Sequence, residues 1–198
     1  FAAALLIERG HIVAALPYAK RAFASSSDIN PAALLNGFKD QPSEAQTLIR
    51  GLITELSITY PDGPRTVLAQ ALLAWREGKI EEADRTLEEL FALEPHHERG
   101  TLLITEIRLR TDESIAFDYL PEAIQATTSP LLRYQYARFL MGKPRLTEAK
   151  EQFDALVEIA PETTDYAMRA ALLYLELDQP AAALVVLDSI IPLTPPRN

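Results

Sequence analysis

The sequence predicts an all-α protein assembled from repeated helical hairpins, and three observations carry that expectation. The apolar fraction is 48% with only 8% aromatic, so the core must be built mostly from Leu, Ala and Ile. Gly is sparse, at 7 residues, and the 14 Pro are spread along the chain, which argues against a β-sandwich with many Gly-rich turns. Third, landmark residues recur at a fixed interval, and an interval of that size changes the whole fold expectation.

The interval is read first from proline. Pro61 in "ITYPDG" and Pro95 in "ALEPHH" lie 34 positions apart, as do Pro161 in "EIAPET" and Pro195 in "PLTPPR". Each follows an apolar helical run such as "TLEELFALEP" or "FDALVEIAP". Small residues hold the same phase. Ala83, Ala149 and Ala183 stand 12 positions before Pro95, Pro161 and Pro195, and Leu87, Phe153 and Leu187 follow 4 later. Ala71, Ala137 and Ala171 stand 24 positions before the same prolines. Small residues at matched positions let two helices approach closely while the large ones fill the space beside them. Gly78 in "REGKI" falls between the two helices, where a terminator belongs.

This pattern resembles the tetratricopeptide repeat, a helix–turn–helix unit of about 34 residues. That motif has small residues at its eighth and twentieth positions, a large apolar at the twenty-fourth and Pro at the thirty-second. Residues 64–97, 130–163 and 164–197 match it well, although the Trp and Gly of the motif's first helix are replaced by Val67, Arg133 and Ala167 and by the alanines above. The resemblance implies a right-handed superhelical solenoid of antiparallel helix pairs, in which neighbours stack because one unit cannot bury its apolar face alone.

Taken in order, residues 1–29 fit a truncated repeat, with Gly10 at its turn and Ala15 and Ala22 in phase. Residues 30–63 form a degenerate repeat that keeps Gly37, Ile53 and Pro61 but has Ile49 where Ala is expected. Residues 64–97 are a full repeat, with "AWREG" closing its first helix and "KIEEADRTLEELFALEP" its second. Residues 98–129 are degenerate and short; Pro121 inside "SIAFDYLPEAIQATT" is expected to shorten or bend the second helix. Residues 130–163 and 164–197 complete one solenoid domain, expected to be a piece of a longer array because both ends lie at repeat edges without a polar capping helix. Phe1, with no Met before it, suggests that targeting information lies upstream.

Several function classes fall away. Nineteen Lys and Arg against 28 Asp and Glu give a formal charge of −9, the wrong balance for displacing counterions from nucleic acid. With no Cys there are no thiolate metal sites, disulfides or cysteine nucleophiles. The longest apolar runs, such as "AAALVVLDSIIPL", are too short and interrupted to span a bilayer. "EPHHE" gathers Glu94, His96, His97 and Glu98, but adjacent His side chains diverge, and the stretch reads as a solvated linker between repeats. His11 follows Gly10 in a turn and has no companion. Glu81–Glu82 and Glu88–Glu89 lie on the outward face of an amphipathic helix, and Ser25–Ser27 have no paired His. No catalytic residue, cofactor or metal is expected.

A protein or peptide partner is expected instead. The resemblance places first helices on the concave surface, and its groove positions transfer to Leu68, Leu72, Trp75 and Arg76, then Leu102, Glu106, Leu109 and Arg110, then Tyr134, Arg138 and Met141, and finally Met168, Arg169, Leu172 and Leu175. Several of the plain Leu positions are expected to pack between repeats. Trp75, Tyr134, Met141 and Met168 are side-chain types enriched at binding surfaces. Arg is concentrated on first helices (Arg65, Arg76, Arg99, Arg108, Arg110, Arg133, Arg138, Arg169), whereas second helices carry the acid. An apolar groove rimmed with cations suits an amphipathic helix or an acidic, apolar peptide. Repeats that clamp chaperone tails use Lys and Asn on successive first helices where this chain has Leu68, Leu72 and Arg76, then Leu102, Glu106 and Arg110, so the resemblance does not extend to that subclass.

The phrases "YARFLMGKPRLTEAKEQFDALVEIAP" and "ALLYLELDQPAAALVVLDSII" are similar to bacterial outer-membrane lipoproteins that bind a periplasmic carboxy-terminal processing protease and deliver cell-wall hydrolases to it. That resemblance implies a periplasmic adaptor in regulated proteolysis, anchored through a segment upstream of Phe1. The alternative is a cytosolic or inner-membrane-associated assembly factor for envelope or pilus biogenesis, using the same groove. Self-association as a homo-oligomer, or a groove filled by the same chain, is a further expectation.

Overall fold

The computed structural model of the chain describes Leu6, residues 11–24, Leu35, residues 38–109 and residues 114–190. Among these the regular structure is entirely helical: α1 (Ile12–Ala24), a 3-10 turn (Phe38–Asp40), α2 (Ser43–Thr59), α3 (Pro64–Glu77), α4 (Ile80–Leu93), α5 (Glu98–Arg108), α6 (Ser114–Thr127), α7 (Pro130–Met141), α8 (Leu146–Ile159), α9 (Thr164–Glu176) and α10 (Pro180–Ile190). The chain divides into two compact units, Phe1–Ile107 and Arg108–Asn198. Gly10, Gly37, Ser25–Ser27, Arg110 and Pro195, and the side chain of Ala22, lie outside the described residues.

Local chemistry explains where the helices stop. Pro64 and Pro130 each open a helix, where a missing N–H costs no internal hydrogen bond. Ser129 caps α7, its hydroxyl accepting from the Leu132 N–H at 3.2 Å. At the end of α3, Gly78 takes a left-handed φ of 83°. Its N–H reaches the Trp75 carbonyl at 3.0 Å, and the Lys79 N–H reaches Ala74 at 2.9 Å. The end of α9 repeats that pair of bonds, Asp178 to Leu175 at 3.1 Å and Gln179 to Tyr174 at 2.8 Å. There Asp178 holds the left-handed position at φ 57°, a conformation that Asp tolerates better than most residues. Turns this short fold α4 back on α3 and α10 back on α9.

In the first unit α2 packs on α1 and α3, and α3 pairs with α4. Ala71 on α3 and Ala83 on α4 are fully buried, with Leu87 and Leu90 beside them. Ile49, standing where the repeat pattern expects Ala, is buried on α2. α5 settles on α4 at Gly100, where a Cβ would lie 2.7 Å from Leu90 Cδ2 and 3.1 Å from Phe91 Cε1. Arg50 on α2 ion-pairs with Glu77 at the end of α3, and Lys79 binds the other Glu77 oxygen at 2.8 Å.

In the second unit α6 to α10 pack in series, each on the next. Phe117 meets Phe139 with ring centroids 4.9 Å apart, joining α6 to α7. Ala137 on α7 and Ala149 on α8 are fully buried, with Phe153 and Leu156 filling the space around them. Ala171, Tyr174 and Ala183 form the equivalent cluster between α9 and α10. The Tyr174 hydroxyl donates to Asp154 Oδ1 at 2.7 Å and Lys150 donates to Asp154 Oδ2 at 2.8 Å, tying α9 to α8. Pro121 does not shorten its helix: α6 runs on through it to Thr127. A proline removes one internal N–H, and packing against α7 holds the remaining turns in place.

Two glycines inside helices should respond in opposite directions. Gly51 is exposed on α2, with nothing within 4 Å of the place a side-chain methyl would occupy. Gly51→Ala should therefore gain roughly 0.5–1 kcal/mol, because a helix interior disfavours Gly. Gly100→Ala should instead lose about 1–3 kcal/mol through overpacking against buried Leu90. Urea unfolding of both variants checks the pair. For Glu77, burial pushes the carboxyl upward, but hydrogen bonds from Arg50 and Lys79 outweigh it and hold the group below its ordinary 4.5. Its stabilising contribution is therefore complete above 4.5 and is lost as pH falls through the lower folded value. Glu77→Gln should melt below wild type at pH 7, and the gap should close progressively as pH falls below 4.5.

Candidate partner-binding surface

The second unit presents an open apolar ladder. Met168, Leu172 and Leu175, at i, i+4 and i+7 on α9, are 53%, 57% and 52% exposed. Buried residues of the same helix, Ala167, Ala170, Ala171, Leu173 and Tyr174, face the core, so the ladder occupies the side of α9 left over after packing.

Beside it lies an aromatic and cationic cluster centred on Tyr134 of α7. Its ring stands 6.2 Å from Phe153, edge to face, and 5.4 Å from Tyr166 of α9. The guanidinium groups of Arg138 and Arg169 lie over the same ring, 5.8 and 5.4 Å from its centroid. Arg169 Nε donates to Asp165 Oδ2 at 3.0 Å, and the Tyr134 hydroxyl reaches the same oxygen at 3.4 Å. Met141, the last residue of α7, is half-buried. The structure thus brings together Tyr134, Arg138, Met168, Arg169, Leu172 and Leu175. Asp165 and Tyr166 belong to the cluster and were not singled out from the sequence. Their signal was available: both follow Thr164 in the first turn of a first helix, next to the groove position Met168.

Among its described residues, the groove positions of the first unit form no equivalent face. Leu68 and Leu72 are buried on α3, as expected of plain Leu positions, and Trp75 is only 9% exposed. The expectation that Trp75 presents its ring to a partner is corrected to a packing role: an indole has the largest apolar area of any side chain, and hiding it in the core is worth more than holding it in water. Arg76 and Glu106 are exposed and Leu102 is half-buried, as is Leu109 at the start of the second unit. A cleft of about 470 Å³ does open in this unit, between α2, α3 and α4. Its walls mix Arg50, Lys79 and Arg85 with Glu77, Glu82 and Glu89 over a floor of Ile53, Leu73 and Ala74. Opposite charges balance there, and no single ligand charge is favoured.

The histidine pair has a structural task. His97 is largely covered, and its Nδ1 accepts from the Gly100 N–H at 3.1 Å, capping the start of α5. His96 takes a left-handed φ of 61° in the turn before it. The stretch is the joint between α4 and α5, with Glu94 and Pro95 exposed as a solvated linker requires and His97 covered. Among the described residues no three His, Asp or Glu side chains gather as a metal site. Among the same residues no helix is long and apolar enough to cross a membrane.

The division between core and surface has a measurable consequence. Trp75→Ala should cost about 3–5 kcal/mol in urea unfolding. Leu172→Ser should stay within about 0.5 kcal/mol of wild type, because its side chain already faces water.

No family model matches the chain, and no curated protein matches it either. Solved structures do share its fold. MamA superposes with a TM-score of 0.57 at 16% identity, over 76% of this chain and 91% of that one. MamA residues 41 to the end from Desulfovibrio magneticus RS-1 gives 0.56 at 16% identity, over 82% and 94%. YrrB, described as a TPR protein with an unusual peptide-binding site, gives 0.52 at 18% identity, over 84% and 87%. At these identities the likeness establishes architecture: the chain has the all-helical fold of tetratricopeptide-repeat proteins.

Proposed function

We propose that this chain is a non-catalytic scaffold that holds a protein partner on the α7–α9 face of its second unit. The observation that carries the reading is the ladder of Met168, Leu172 and Leu175, each more than half exposed beside the Tyr134 cluster. Three large apolar side chains in register on one helix cost solubility unless something covers them, and a helix face of this kind is a recurrent way of seating a peptide or a second helix. The peptide-binding site ascribed to YrrB, a protein of the same fold, lends support. Met168 and the half-buried Met141 add adaptable side chains at the edge.

The finer reading is an adaptor in the bacterial envelope that brings cell-wall hydrolases to a processing protease. Its support is the similarity of residues 136–161 and 171–191 to lipoproteins of that kind. The test is affinity capture from envelope extract with the chain as bait and mass spectrometry as readout. A processing protease or a wall hydrolase should be recovered by wild type and lost when Met168, Leu172 and Leu175 are all changed to Ser. Equal recovery by the triple variant would remove the face from the account, and recovery of cytosolic assembly factors alone would remove the envelope role.

A further inference from the structure

The docking face carries two arginines, and they are not equivalent. Arg169 is already neutralised: its Nε donates to Asp165 Oδ2 at 3.0 Å, one helical turn earlier on α9. Arg138 is exposed, lies over the Tyr134 ring, and has no carboxylate within ion-pair distance among the described residues. In a chain of net charge −9, an arginine left without an acidic neighbour goes against the prevailing balance. A guanidinium held over a ring face keeps its N–H donors for another partner, and a carboxylate is the group that matches their fork.

The ladder fixes what surrounds that carboxylate. Met168, Leu172 and Leu175 run along two turns of α9, about 10 Å at 1.5 Å per residue. A partner helix with its own apolar stripe presents side chains at the same spacing. Resting on the docking reading above, we propose that the α7–α9 face takes an amphipathic helix with Asp or Glu beside its apolar stripe, and that Arg138, positioned by Tyr134, is the residue that selects the acid. Arg169 orders the cluster through Asp165 and contributes little to the choice. The recognition combines burial of the partner's stripe, which supplies affinity, with one charge pair at the rim, which supplies selectivity and on-rate.

A display library tests this directly. The probe is a set of 20-residue peptides carrying a fixed Leu stripe at helical spacing with all flanking positions randomised, panned against the whole chain in wild-type, Arg138→Gln, Arg169→Gln and Leu172→Ser forms. Circular dichroism accompanies each form, and all three substitutions lie at solvent-reached positions. Wild type should enrich Asp or Glu at one flank; Arg169→Gln should keep that preference and Arg138→Gln should lose it. A selected peptide should bind Arg138→Gln about tenfold more weakly, and the difference should shrink at high salt. Acid enrichment that survives Arg138→Gln, or enrichment of Lys and Arg on wild type, would overturn the assignment of Arg138 while leaving the face intact. Binders that tolerate Leu172→Ser, or no binders to wild type at all, would overturn the docking reading itself. A parallel library of unpatterned 12-residue peptides separates the helix from an extended ligand: tight binders with Pro at their centre would contradict the helix.

Discussion

Ala137 on α7 and Ala149 on α8 are both fully buried, and a larger side chain at either place would hold the two helices apart. The same device recurs as Ala71 with Ala83 and as Ala171 with Ala183. A methyl group at the contact lets backbones approach, so that Leu87, Phe153 and Leu187 can lie alongside rather than between them. Everything else in each unit is arranged around these contacts. Short turns closed by Gly78 and Asp178 return the chain at the right distance. Tyr174, Asp154 and Lys150 then tie one hairpin to the next within the second unit.

Such packing consumes one side of a helix and leaves another side to solvent, and the two units use that freedom differently. On α3 the side chains at groove positions turn inward, and Leu68, Leu72 and Trp75 become core. On α9 the corresponding positions remain outside as Met168, Leu172 and Leu175. The contrast accounts for why a binding role is assigned to the second unit. It also explains the arrangement of charge near Tyr134. Aromatic rings hold Arg138 and Arg169 close to an apolar surface, and Asp165 satisfies only one of them.

The fold class was legible because the signal is periodic and redundant. Small residues at matched phase, a glycine between helices and prolines after them all point to one hairpin geometry, and Gly78 and the buried alanines sit as that geometry requires. What periodicity does not convey is how completely a neighbouring helix covers a given position. Trp75 and Leu175 occupy the same place in their repeats, yet one is buried and the other open. Local polar chemistry was equally hidden: the cap made by His97 on Gly100 depends on a turn conformation at His96 that no spacing reveals. Pro121 does not end its helix for the same reason, since a helix held by its neighbours tolerates a proline that would end an isolated one. The Asp165–Arg169 pair is a plain i, i+4 spacing on one helix, but its reach to Tyr134 is a tertiary fact.

The most direct test of the close-contact principle is the unfolding free energy of Ala137→Leu and Ala149→Leu, measured by urea titration alongside Leu172→Ala on the open side of α9. Each core substitution should cost about 1–3 kcal/mol by forcing α7 and α8 apart, while the surface change stays near zero. Core variants as stable as wild type would mean that the small-residue contacts do not set the helix spacing, and the account of the fold built on them would fail.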